Sequence, residues 1–545
     1  MSLLPDWLLD KYHSCRLDKL DWITRNRLLF KPYVAKMHQL HEQNKSKPNR
    51  LKILFWSTGA WERGGLEFMW ATSLYSRGHR IMGITCDGGF SACSMESIYY
   101  PRPSCEYCHE RNLSMIDIFG LREFFQPISK YLTQIDRNAI RDEIEAIPFE
   151  KIMDFEWQGI PLGKHMSRDL PQYYFRYVNA MDRSLEPKIR DSLYSSYLYT
   201  IVAENVWKNI TPDRGVVTGG KTIAYGSFYN VCMKNTCPVI TWDESMMGSF
   251  VFGKNGYANE YVIDEAWERY KDIELSDQEN MHVESFFSKS SQGIIGNACY
   301  YKSPVLEEKR IREELGFDPN KPLVSLMTNI LWDTSALGRD IAFDSMLDWI
   351  IKTIDFYHDS NEVQLVIRCH PHGADQDFKT FRDTYEYIME HYDGLPDHIK
   401  IIPSHSQISS HSLCGMSSLI CVYGTTMGLE MAVRGLNVLV CGDVHFRGRG
   451  FTCDIDTLEQ YLSILGNLKG FKSTLSQEQV AYARRYSHLW LMKFHTYFSE
   501  FCEEERHTFD LIPEDLFSGD NRWAKLSQET ERLGDFSGIS MDPHR

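Results

Sequence analysis

Short apolar runs recur along this chain, each followed by a turn and then a stretch with helical spacing. The runs are LKILFW (51–56), RIMGIT (80–85), GVVTGG (215–220) and CPVITWDE (237–244). They continue with KPLVSLMTN (321–329), VQLVIRCHP (363–371), HIKIIPS (398–404), SLICVYG (418–424) and NVLVCG (437–442). Runs that are apolar on both faces belong to strands covered on both sides, as in parallel sheets flanked by helices. Parallel neighbours need a crossover, and the helical stretches supply it. The expected fold class is therefore α/β, with two Rossmann-like domains in tandem, their parallel sheets facing a cleft. Gly59, Gly64 and Gly65 follow the first run but do not form G-x-G-x-x-G, so no dinucleotide site is read there.

A length of 545 residues suits two large domains. The expected division is a basic helical arm (1–50), an N-terminal Rossmann-like domain (51–300), a C-terminal one (301–517) and a frayed polar tail (518–545). The arm holds ten Lys/Arg against five Asp/Glu, with Leu3, Leu4, Trp7 and Leu8 near helical spacing. A helix packed on the first domain is the favoured reading, and a basic amphipathic surface touching anionic lipid is the alternative. A net charge of −15 argues against nucleic acid as a partner. No run of 18 apolar residues occurs, and charges interrupt the N-terminal apolar stretch, so neither a membrane span nor a secretory signal is expected. With fourteen cysteines and no signal, the expected location is the reducing cytoplasm, at the inner face of the membrane if the arm binds lipid.

Open parallel sheets bind ligands at the carboxyl ends of their strands. His370 and Pro371 follow VQLVIRC, where histidine can donate to a phosphate and proline fixes the turn. Thr425 and Thr426 follow SLICVYG and open a helix, so two hydroxyls join free backbone N–H groups as an anion site. Glu430, on that helix, can accept from a ribose hydroxyl or favour the helix start. Asn329 follows VSLMT and can orient a phosphate or serve as a turn residue. Arg447 and Arg449 lie between glycines, as a solvated loop or a flexible basic loop near the donor phosphates.

The stretches TNILWDTSALGRDIAFDSMLDWIIKTI, VIRCHPH and VYGTTMGLEMAVRGLNVLVCGDVHFRGRGFT together resemble the capsule-polysaccharide biosynthesis glycosyltransferases, over about 320–465. That resemblance implies a GT-B architecture, with the donor nucleotide on the C-terminal domain and the acceptor against the N-terminal one. It implies donor-phosphate contacts from His370, Thr425 and Thr426. CMP-sugars are the favoured donors, with a glycan or lipid-linked acceptor in capsule or lipopolysaccharide-type assembly. Related bacterial enzymes often carry serine where Thr425 stands and an acidic residue where His372 stands. The resemblance also implies a transferase that needs no catalytic metal. A base must take the acceptor proton. The candidates are Glu244 and Asp243, after VITW, and Asp87, after the second run.

Cys86, Cys93, Cys105 and Cys108 lie close together in the chain, the last two with C-x-x-C spacing. Four thiolates suit structural Zn²⁺ or an iron–sulfur cluster, with independent thiols and a redox pair as the alternatives. Two other functions compete with sugar transfer: a CDP-polyol phosphotransferase, and a non-catalytic nucleotide- or glycan-binding protein.

Overall fold

The computed structural model describes residues 50–58, 65–98, 105–133, 135–179, 182–245, 248–295, 298–299, 301, 303–333, 336–371, 380–498, 521–537 and 539. Apart from Arg50, the expected basic arm lies outside them, as does His372.

Two six-stranded sheets carry the fold. The first comprises β1 (Lys52–Ser57), β2 (Arg80–Thr85), β3 (Phe125–Pro127), β4 (Arg214–Thr218), β5 (Val239–Glu244) and β6 (Phe250–Lys254). Their spatial order is β3-β2-β1-β4-β5-β6, parallel except for the antiparallel edge strand β6. The second comprises β7 (Leu323–Met327), β8 (Gln364–Arg368), β9 (Ile399–Ile402), β10 (Leu419–Val422), β11 (Val438–Val440) and β12 (Cys453–Asp454). Its order, β9-β8-β7-β10-β11-β12, repeats that of the first sheet and is parallel throughout. Both sheets are thus doubly wound around a central strand, the GT-B-like pair implied by the resemblance. The continuous apolar runs explain the central strands: Ile53 to Trp56 and Leu365 to Ile367 are fully buried, with helices on both sides.

Around the first sheet lie α1 (Gly65–Ser76), α2 (Leu162–Tyr174), α3 (Glu186–Ile210) and α4 (Ile223–Lys234). Around the second lie α5 (Asp277–Ser291), α6 (Met346–Tyr357), α7 (Ser410–Gly415), α8 (Met427–Val433) and α9 (Gln477–Leu489). Ile263, Trp267, Val283 and Phe287 belong to the same apolar core as Leu323 and Val366. The second unit's core therefore draws on residues well before the expected start at 301.

The C-terminal segment departs from the expectation of a frayed tail. Thr496 exchanges two 2.8 Å backbone hydrogen bonds with Phe250 on the first sheet's edge strand, so the chain has returned to the first unit by then. Beyond it, α10 (Arg522–Arg532) packs on α1. Trp70 Nε1 donates to Thr530 Oγ1 (3.1 Å), Ser527 Oγ donates to Ser73 Oγ (2.9 Å), and Trp523 is buried in the first unit's core. Its buried face is built partly from Ala524, Ser527 and Thr530, which read as polar or neutral in sequence.

Candidate functional site

Strand register sets the site. Met327 pairs with Arg368 on one side and Val422 on the other, so β7, β8 and β10 end level with one another. The residues that follow then project together: Asn329 after β7, His370 after β8, and Thr425 and Thr426 after β10. His370, Pro371, Thr425, Thr426 and Glu430 line one cavity of about 60 Å³. That is room for roughly two waters or one small anionic group. Asn329 lies on an adjoining groove that His370 also lines. Its Oδ1 accepts from Gly424 N–H at 3.1 Å and so ties the end of β7 to the turn that carries the threonines.

The two threonines differ. Thr425 Oγ1 accepts from Met427 N–H at 3.3 Å, which leaves its hydroxyl proton to donate elsewhere. Thr426 occupies the N-cap of α8 but makes no capping hydrogen bond with its side chain. Glu430 is only 3% exposed, and its Oε2 accepts from Ser290 Oγ (2.7 Å) and pairs with His411 Nε2 (2.8 Å). These partners fix the Glu430 carboxylate in the cavity wall, so the ribose contact allowed by the sequence would have to compete with them.

Arg368, the arginine of the R-x-HP motif, has a role that the sequence did not reveal. It is almost fully buried and donates to the carbonyls of Cys369 (3.0 Å), Pro403 (2.7 Å) and Ser406 (3.1 Å). It therefore clamps the turn bearing His370 to the loop after β9. A guanidinium suits this because it spreads several donors over a rigid plane.

Arg447 and Arg449 are placed differently from the expected flexible donor loop. Arg447 donates to Val440 O (3.2 Å), Ile455 O (2.6 Å) and Asp456 (2.6 Å). Arg449 donates to Asp264 (2.6 Å) and His445 O (3.4 Å). Both are mostly buried and hold their own loop, and neither lines the His370 cavity.

On the first sheet, Asp87 accepts from Ser129 N–H (2.9 Å) and Ser129 Oγ (2.5 Å). Both oxygens are committed to the turn after β3, which weakens its candidacy as a base. Asp243 and Glu244 end β5 at the carboxyl edge, and Asp243 Oδ1 accepts from Glu244 N–H at 2.9 Å.

A partly buried charge cluster, unforeseen from sequence, spans the two units. Glu260 Oε1 lies 2.5 Å from Lys221 Nζ and 3.9 Å from both Arg168 and Arg339. Lys221 follows the Gly219–Gly220 turn after β4, whereas Arg339 lies in the loop after β7. Burial, reinforced by Arg168, pushes the Lys221 ammonium down to about 7. Burial alone would raise Glu260, but Lys221, Arg339 and Arg168 outweigh it and hold the carboxyl below its usual value. Residues this far apart in sequence give no local pattern by which to find them.

The cysteine expectation gains no support from the geometry. Among the described residues, which include all four cysteines, no group of three or more Cys, His, Asp or Glu side chains is placed to hold a metal ion. Burial pushes the Cys86 thiol up to about 11. Among the described residues, no helix is long and apolar enough to cross a membrane.

No family model and no curated protein matches this sequence. Among solved structures, the chain is similar to the beta Kdo 2,4 transferase KpsC of Thermosulfurimonas dismutans, at 14% identity over 50% of this chain and 78% of that one, with a TM-score of 0.32. It is similar to a putative UDP-N-acetylglucosamine 2-epimerase from Listeria monocytogenes, at 11% identity over 81% of this chain and 94% of that one, with a TM-score of 0.26. It is also similar to the calicheamicin glycosyltransferase CalG4, at 11% identity over 81% of this chain and 95% of that one, with a TM-score of 0.25. At these TM-scores the likenesses are loose.

Proposed function

We propose that the protein is a GT-B glycosyltransferase that moves a sugar from a nucleotide donor, with CMP-sugars the favoured class, to a glycan or lipid-linked acceptor in surface-polysaccharide assembly. One observation carries this reading: His370, Thr425 and Thr426 converge on a single cavity at the carboxyl ends of strands flanking the central strand of the second sheet. Negative charge develops on the leaving phosphate as the glycosidic bond to it breaks. Fixed donors placed where that charge appears lower the barrier most effectively. His370 and the two hydroxyls fill that role as protein donors in place of a metal. The acceptor hydroxyl approaches from the first unit and loses its proton to a carboxylate there, with Glu244 and Asp243 the candidates at the end of β5. The basic segment over residues 1–50 would hold the enzyme near an anionic membrane face where a lipid-linked acceptor resides.

The test is thermal-shift screening with CMP, CDP, UDP and GDP, followed by transfer assays with the sugar derivatives of the base that binds. At least one nucleotide should raise the melting temperature. His370→Ala should abolish that shift and lower transfer by about 10²-fold or more while leaving the unliganded melting temperature unchanged. Full transfer by His370→Ala, transfer of a polyol phosphate without sugar, or nucleotide binding without turnover would each overturn the proposal.

A further inference from the structure

A second cavity, of about 390 Å³, lies on the first unit, between α2, α3 and the segment 92–97. Its lining combines two kinds of surface. One wall is aromatic: Tyr173, Phe175 and Trp332 border it, and the Phe175 and Trp332 rings meet edge to face at 4.6 Å between centroids. The other walls are polar and include Asp169, Glu96, Lys188 and Ser94.

The polar groups are held in place by contacts among the lining residues themselves. Asp169 Oδ2 accepts from Ile223 N–H at 2.7 Å, in the first turn of α4. Burial pushes the Asp169 carboxyl up to about 7, so near neutrality it can act as donor or acceptor. Lys188 pairs with Glu96 at 3.3 Å and lies 3.8 Å from the centroid of the Tyr173 ring. These contacts keep the charges balanced, and the cavity shows no strong preference for an anion or a cation.

The cavity opens at the junction of the two units. Trp332 comes from the second, three residues after Asn329, and its Nε1 donates to Thr380 Oγ1 at 3.0 Å. Thr380 lines the groove that Asn329 and His370 also line. Phe381 N–H donates to Phe175 O at 2.9 Å and fixes the rim across the junction. The Trp332–Thr380 hydrogen bond thus links the aromatic wall to the groove beside His370.

We infer that this cavity binds a saccharide, with Trp332 and Phe175 covering an apolar sugar face and Asp169, Glu96, Lys188 and Ser94 bonding the ring hydroxyls. A pyranose presents a C–H face and a rim of hydroxyls, and it needs an aromatic surface beside several donors and acceptors. A volume of 390 Å³ accommodates one or two sugar rings. Naming this saccharide the acceptor rests on the glycosyltransferase reading, whereas saccharide binding itself does not.

The experiment is saturation-transfer NMR on the full chain with methyl glycosides of a neutral hexose, an N-acetylhexosamine and a hexuronic acid, with and without CMP. At least one glycoside should receive saturation, and CMP should not displace it. Trp332→Ala should weaken the signal at least tenfold. Asp169→Asn preserves the shape and the acceptor for Ile223 N–H, and should weaken it severalfold without changing the melting temperature. Silence from all three glycosides, or signals that both variants leave unchanged, would overturn the inference. Saccharide binding in a protein that no nucleotide stabilises would uphold this cavity and overturn the proposed transferase. A nucleotide shift without any saccharide signal would do the reverse.

Discussion

The two sheets share one strand order, yet their central crevices are furnished in opposite ways. A doubly wound sheet splits its crossovers at the central strand and so leaves a crevice beyond the carboxyl ends of that strand and its neighbour. In the first sheet that crevice lies between β1 and β4, and Glu67 of α1 fills it. The Glu67 carboxylate accepts from Ser57 Oγ at the end of β1, from Thr218 Oγ1 at the end of β4 (3.1 Å) and from Trp242 Nε1 on β5 (2.7 Å). In the second sheet the equivalent position lies between β7 and β10. There Asn329 bridges to Gly424, and a cavity lined by Thr328, Thr425 and Thr426 remains beside it. Topology supplies the crevice twice, and in the first sheet a single side chain turns it into core.

Removing the plug should break the comparison most severely. Glu67→Ala leaves the Ser57, Thr218 and Trp242 donors buried without an acceptor and opens a hole beneath them. Each unsatisfied buried group costs about 1–3 kcal/mol, so the total loss should reach about 4 kcal/mol in urea denaturation. The nucleotide response of whatever protein remains folded should be unchanged, because that site belongs to the other sheet.

The open crevice should respond in the opposite sense. Replacing both Thr425 and Thr426 with valine preserves shape and removes both hydroxyls. Transfer should fall about 100-fold, in line with the loss of preorganised donors to a developing charge, with only a small change in stability. A large stability loss with intact transfer would mean that the threonines hold the turn and do not meet a ligand.

Much of this contrast was legible in the sequence, and the reason lies in range. Cores such as ILFW and LVI are apolar at every position, which identifies central parallel strands without tertiary information. The residues after them, His370 and Thr425, could be placed at a shared edge because level strand ends follow from parallel pairing. Three of the four edge strands were not legible: Phe125–Pro127 is three residues long, Cys453–Asp454 only two, and Phe250–Lys254 carries a glycine. The roles of Glu67, Lys221 and Glu260 were hidden for another reason. Each looks like an ordinary surface charge until strands separated by tens to hundreds of residues bring its partners in. The same applies to Arg447 and Arg449, whose glycine neighbours read as flexibility although backbone carbonyls and the Asp456 and Asp264 carboxylates hold their guanidinium groups.

The protonation of the plug gives a subtler test. Burial pushes the Glu67 carboxyl up to about 7, against an ordinary value of 4.5. Between these values the folded state keeps the proton and the unfolded state has released it, so stability falls as pH rises. The contribution is complete below about pH 4.5 and is lost as pH climbs through about 7. Glu67→Gln cannot ionise. The melting temperature of the parent relative to this variant should therefore drop by a few degrees from pH 5 to pH 8. The buried His165 and His495 have lowered values and oppose this trend, but they are present in both proteins and cancel in the difference. A difference that is flat with pH would mean that Glu67 is ionised in the fold.

The smallest effect should come from Arg449, and it separates the two kinds of basic residue in the second unit. Its partner Asp264 is 73% exposed, so the ion pair is screened by solvent and contributes at most a few tenths of a kcal/mol. The guanidinium also donates to His445 O and lies 5.7 Å from the Tyr486 ring centroid, contacts that steady the loop against α9. Arg449→Ala should therefore lower stability by about 1 kcal/mol or less and leave the nucleotide-induced shift unchanged. If the shift instead collapses while the unliganded melting temperature holds, Arg449 must leave Asp264 to meet the donor. The loop would then be a moving part of the second crevice, and the contrast between a plugged sheet and an open one would have to include it.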